Sequence, residues 1–200
     1  MPLDALEAQK ARFLASFGPD AGPSVARVRA MQDAVASALL RNALYAPSAT
    51  AADRQEVGSG WRQRLDALAA EYAEPASVGK YERDLVRLQA HMNRHYGMHF
   101  RQARHPKFGY EPGFRISHAQ KSLSLVLKHF WCLGRVAEPP ECPVDRPVLV
   151  AARAGELNSK WTDVNSIAAH RFKMKFLTEA AASEGLTIAE WELKTVNALS

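Results

Sequence analysis

The sequence predicts an all-α fold, one compact helical domain of about seven to nine helices. Apolar residues recur at intervals of three and four through most of the chain, and no stretch alternates apolar with polar side chains as a half-buried strand does. Caps and breakers divide the pattern at regular intervals. The 200 residues suit one domain with a real core, and 47% hydrophobic with 24% charged residues marks a globular chain rather than a disordered one.

The elements follow in order. Residues 3–16 read as a first helix closed by Gly18-Pro19, and 24–45 as a second, ended before Pro47, with Val25, Val28, Met31, Val35, Leu39 and Leu40 as its buried stripe. A third spans 50–73, stopped by Pro75, with Trp61, Leu65 and Leu68 inward; a fourth covers 78–96, with Leu85, Leu88 and Met92 inward. GMHFRQARHPKFGYEPG, from Gly97, has neither period and reads as a long loop, the kind that in a compact domain usually serves function.

Ser117 then caps a helix with Leu123, Val126, Leu127 and Phe130 on its buried side and Gly134 as its stop. The proline-rich linker RVAEPPECPV is stiff and leads to Asp145, an N-cap residue ahead of RPVLVAARAG. A long helix is expected from Thr162 to Ser183, and Thr187-Ile188-Ala189-Glu190 is a capping box opening the last one around Trp191, Leu193 and Val196. The domain thus divides into N-terminal helices (1–96), a basic loop (97–116), a helix pair (117–154) and C-terminal helices (155–200).

No apolar run reaches the length of a membrane span, and MPLDALEAQKARF lacks the form of a signal peptide, so a cytoplasmic monomer away from membranes is expected. Cys132 and Cys142 are too few for a disulfide scaffold and read as reduced thiols. His91 and His95 share a helix face at a metal-binding spacing, but Met92 stands where a zinc protease has glutamate, and no metal or cofactor is expected.

The net charge is +5 with a pI near 9.4, and the bases gather in 94–128: Arg94, Arg101, Arg104, Lys107, Arg115, Lys121 and Lys128, with Glu111 the one acid. Such an excess favours a polyanionic partner. Phe108, Tyr110 and Phe114 lie among these bases, a mixture that suits unstacked nucleotides. Packing of the same aromatics onto the core is the plainer alternative.

A lysine near the start of a helix, a proline-containing return and Pro143-Val144-Asp145 at the cap of the next helix form a recognisable constellation. It resembles the core of the helix-hairpin-helix DNA glycosylases, especially the 8-oxoguanine DNA glycosylases and their archaeal relatives. The resemblance covers about forty residues of the chain. It implies that Lys121 is a nucleophile attacking the sugar C1′ as the base leaves, and that Asp145 stabilises the developing oxocarbenium charge and moves protons.

The reaction needs such a pair because the amine must be uncharged to attack while C1′ becomes positive. A helix of about fifteen residues is about 22 Å long, and ten extended linker residues reach about 30 Å, so Asp145 can return to Lys121. Lys128, two turns further along, is the other possible partner.

The resemblance further implies a double-stranded DNA partner containing a damaged or modified base, extruded into a pocket between the N-terminal helices and the 117–154 pair. Similar small glycosylases act in phage defence on modified cytosines. The family's Leu-Pro-Gly-Val-Gly turn is replaced here by Pro112-Gly113-Phe114-Arg115-Ile116-Ser117-His118-Ala119-Gln120, which lacks the second glycine. The phosphate grip is therefore expected from Arg115, Ser117, His118 and Gln120 at the helix start, with Arg104 and Lys107 from the loop. A basic helical module that holds DNA or a protein without reacting is the competing expectation.

Overall fold

Side-chain oxygens that take up free helix amides set most of the helix starts. Thr50 and Asp53 form a reciprocal box (Asp53 N to Thr50 Oγ1, 3.1 Å; Thr50 N to Asp53 Oδ2, 2.7 Å), and Thr187 and Glu190 repeat it at 3.2 and 3.1 Å. Ser77 and Ser166 each accept an amide three residues on. In the computed structural model, which describes residues 1–16, 23–156 and 158–199, the helices are α1 (Leu3–Ala15), α2 (Pro23–Leu39), α3 (Ala51–Ala69), α4 (Val78–Tyr96), α5 (Ile116–Cys132), α6 (Arg146–Ala151), α7 (Ile167–Ser183) and α8 (Ile188–Leu199).

Short 3-10 turns occur at 70–72, 97–99 and 161–163, and among the described residues the sole β feature is an isolated bridge between Tyr45 and Phe100. The fold is all-α. No helix of the described residues is long and apolar enough to cross a membrane. The Gly18-Pro19 stop expected after the first helix lies outside the described residues.

α5 is the axis of the molecule, with every residue except Leu125 buried. On one side it joins α2, α3 and α4 in a core built around Trp61, Leu65, Leu85, Leu88, Phe100, Phe114 and Leu123. On the other side, α6, α7 and α8 enclose Val144, Val148, Leu149, Leu177 and Trp191. α1 crosses back to α8, where Phe13 meets Trp131 and Leu193 and the Asn197 amide donates to Gln9 O at 2.8 Å.

A helix buried all round must satisfy its own polar groups. Ser122 Oγ donates to His118 O at 2.8 Å and accepts from Trp61 Nε1 at 3.1 Å, while Ser124 bonds the Tyr81 hydroxyl. α5 ends as the sequence predicts: Gly134 takes φ +67°, and Arg135 N and Gly134 N return to Phe130 O and Trp131 O at 2.8 and 3.0 Å.

Four expectations need correction. α2 stops at Leu39 rather than 45, because Arg41 turns into the left-handed region at φ 57°. Its inward face is Ala30, Met31, Ala34, Val35 and Ala38, whereas Val25, Val28 and Leu40 are exposed; small side chains let α2 lie close along α5. α5 begins one turn-step earlier than Ser117 suggests, with Arg115 in extended backbone as its cap and Arg115 N donating to His118 Nδ1 at 3.1 Å. The helix expected from Thr162 is instead a 3-10 turn followed by a fresh start at Ser166.

Candidate functional site

Lys121 lies in the second turn of α5, and its Nζ donates to Asp145 Oδ2 at 2.5 Å across 24 residues of sequence. The side chains are 8% and 23% exposed, so the lysine is nearly enclosed while the carboxylate meets solvent on one edge. Asp145 Oδ1 accepts from Val148 N at 3.2 Å and caps α6, which leaves Oδ2 for the lysine. One carboxylate therefore serves a helix start and an amine at once.

The linker is held where it returns. Gln120 clasps Val144 on both sides, its Nε2 donating to Val144 O at 3.0 Å and its Oε1 accepting from Val144 N at 3.1 Å. Upstream, Glu141 Oε2 meets His170 Nε2 at 2.5 Å in the interior. With the residues on either side of Cys142 and Pro143 fixed in this way, Asp145 has little freedom to leave Lys121.

A pocket of about 360 Å³ lies nearby, lined by neither Lys121 nor Asp145 but by residues next to them. Trp161 links pair and pocket, its ring centroid 6.0 Å from Lys121 Nζ and its side chain in the pocket wall. Arg146, the neighbour of Asp145, also lines it, together with Arg41, Lys107 and Lys160, with Phe108 and Tyr110, and with Asp163 as the only acid. Phe108 and Tyr110 stack at 5.4 Å and 25°, and the Tyr110 hydroxyl donates to Arg41 O at 2.7 Å, fixing the loop to the end of α2. Aromatic faces inside a basic rim are the features that accept an unstacked nucleotide.

The loop calls divide. Lys107 lines the pocket, as do the stacking candidates Phe108 and Tyr110, whereas Phe114 is in the core with its ring centroid 4.7 Å from that of Trp61. Arg104 is exposed and paired with Glu111 beside the pocket loop.

The residues expected to grip phosphate from an open helix start are instead covered: Arg115, Ser117, His118 and Gln120 are all buried. The chain after α2 covers them. Asn42 Oδ1 binds the Arg115 guanidinium, Asn42 Nδ2 donates to Ser117 Oγ at 3.3 Å, and Asn42 O meets His118 Nε2 at 3.1 Å. Burial, with the Arg115 charge beside it, lowers the His118 pKa to about 3, so this imidazole is neutral and structural. Gln120 is spent on Val144.

Lys128, the alternative partner for Asp145, instead meets Glu192 of α8 at 2.8 Å, with both groups buried. Burial raises the Glu192 carboxyl above the usual carboxylate range. The two cysteines are buried and not joined to each other, and burial pushes the Cys132 thiol up to about 12. His91 and His95 stack at 4.4 Å on α4, away from this site.

Sequence reasoning missed Trp161, Lys160, Arg41 and Arg146 as pocket residues. A lone tryptophan between Lys160 and Thr162-Asp163, outside any apolar stripe, was the available signal for the first of them. No protein-family model, curated protein or solved structure matches the chain.

Proposed function

We propose that this chain is a DNA glycosylase with accompanying lyase activity, in which Lys121 is the nucleophile and Asp145 the carboxylate that accepts its proton and faces the developing positive charge. The observation that carries this reading is the 2.5 Å contact between the two, with Trp161, a wall residue of a basic, aromatic-lined pocket, 6.0 Å from the amine. A base turned out of the stack would enter between Tyr110 and Trp161, and the rim cations Lys107, Arg146 and Lys160 would meet the flanking phosphates.

In the proposed reaction, Asp145 takes one proton from the Lys121 ammonium as the amine approaches C1′. The glycosidic C1′–N bond breaks, its electron pair leaves with the base, and the base takes up the proton that Asp145 received. With the new N–C1′ bond formed, the C1′–O4′ bond breaks as a proton passes from the Lys121 nitrogen to O4′ and the nitrogen lone pair closes the Schiff base; Asp145 takes a proton from C2′, and the 3′ phosphate leaves with the C3′–O bond pair. The bond to α6 fixes the carboxylate in place beforehand, so little reorganisation accompanies charge development.

The test is borohydride trapping on duplexes carrying an abasic site or a series of modified bases, including modified cytosines. A covalent complex is expected with the unmodified chain and none with Lys121→Gln. Absence of trapping and of base release on every substrate would leave the competing reading, a basic module that binds without reacting, and would overturn the proposal.

A further inference from the structure

We infer that Arg115 is a phosphate-binding residue held covered by Tyr110, and that moving Tyr110 aside opens a phosphate subsite in the wall of the pocket. Arg115 is 2% exposed, and among the described residues only its Nη2 finds hydrogen-bond acceptors, Asn42 Oδ1 and Ala43 O at 3.4 Å. Nε and Nη1 are buried without a hydrogen-bond partner. A guanidinium left with two idle donors in the interior is costly, and that cost is removed by an anion carrying two acceptor oxygens.

The cover is identifiable. The Arg115 guanidinium carbon lies 4.7 Å from the Tyr110 ring centroid, and Tyr110 is itself a pocket residue. The Tyr110 ring is held by its hydroxyl bond to Arg41 O, by ring contacts with Phe108, which is largely exposed, and with His105, and by the Arg115 guanidinium it covers, while its backbone O accepts from His105 N at 2.8 Å.

The ligand chemistry is a phosphate group, from a DNA backbone or from a small phosphate compound. The first source rests on the glycosylase reading; the subsite itself does not. Binding of inorganic phosphate is followed by ³¹P line broadening, and binding of a duplex containing a tetrahydrofuran abasic analogue by fluorescence anisotropy. Both are measured on the full chain and its Tyr110→Ala, Tyr110→Phe and Lys121→Gln variants.

Tyr110→Ala is expected to raise phosphate affinity about tenfold, the worth of a charge-assisted bond pair, and Tyr110→Phe by a smaller factor. Adding Arg115→Lys, which keeps the charge and removes the fork, should abolish the gain. Lys121→Gln should leave phosphate binding unaltered, so failed borohydride trapping and a failed phosphate site are separate outcomes. A gain on both ligands assigns the site to the DNA backbone, and a gain on inorganic phosphate alone assigns it to small phosphate compounds. No gain in either Tyr110 variant, or a gain that survives Arg115→Lys, overturns the inference.

Discussion

At the scale of single residues, Asp145 does two jobs that substitution can separate. Both Asp145→Asn and Asp145→Ala leave the nearly enclosed Lys121 ammonium without its carboxylate and should lower the unfolding midpoint. Asparagine caps a helix about as well as aspartate, so Asp145→Ala should lose about 1 kcal/mol more than Asp145→Asn, while Asp145→Asn slows Schiff-base trapping about a hundredfold and Asp145→Ala abolishes it. Urea unfolding and single-turnover trapping on the same preparations check both, and equal activity in Asp145→Asn and the unmodified chain would confine the residue to its capping job.

The Lys121–Asp145 pair was legible because a lysine near a helix start and an aspartate at the next cap are local signals joined by a short, stiff linker. The placement of Arg115, Ser117, His118 and Gln120 was not. Their burial is decided by Asn42, more than seventy residues earlier, and by the return of Val144, neither of which leaves a periodic trace in the sequence.

At the scale of elements, the glycines that frame α5 are not equivalent. Gly134, at φ +67°, has open space where a Cβ would stand, so Gly134→Ala should cost only the backbone strain, about 1 kcal/mol. At Gly113, with φ +73°, an added Cβ would stand 2.8 Å from Asn93 Oδ1. That oxygen accepts from Phe114 N at 2.8 Å while Asn93 Nδ2 donates to Phe114 O at 2.8 Å, so the entry to α5 depends on Asn93 staying put.

Gly113→Ala should therefore destabilise clearly more than Gly134→Ala, as read from paired urea curves, and equal losses would contradict this account. Amphipathic α3 and α4 could be read in advance because their inward residues follow one stripe between side-chain caps. α2 could not: its packing face is built on alanines, which carry little hydrophobic signal, and its end is set by one left-handed arginine.

At the scale of the whole molecule, two neutral buried imidazoles set an acid limit. His118 and His129 have pKa values lowered by burial to about 3 and about 4, against about 6.5 in the unfolded chain. Below about pH 6.5 the unfolded state binds protons that the folded state refuses, so stability is full above that pH and falls as pH drops towards 4. Each histidine contributes a slope of up to about 1.4 kcal/mol per pH unit across its window. Thermal melts at pH 7.5, 6, 5 and 4 should show this decline, and His118→Gln should flatten it; a melting point level from pH 7.5 to 5 would be inconsistent with both rings being buried and neutral.

Because α5 supplies Leu123, Val126 and Leu127 to the core it shares with α2, α3 and α4, and Trp131 and Cys132 to the cluster it shares with α1 and α8, neither set of helices can open without stripping the other of a wall. Amide exchange makes that dependence visible. The slowest-exchanging backbone amides should belong to α5, should report one common opening free energy equal to that of global unfolding, and should be joined by amides from α2 and α8 rather than by either group alone. The lysine proposed to react thus sits on the last part of the molecule to come undone.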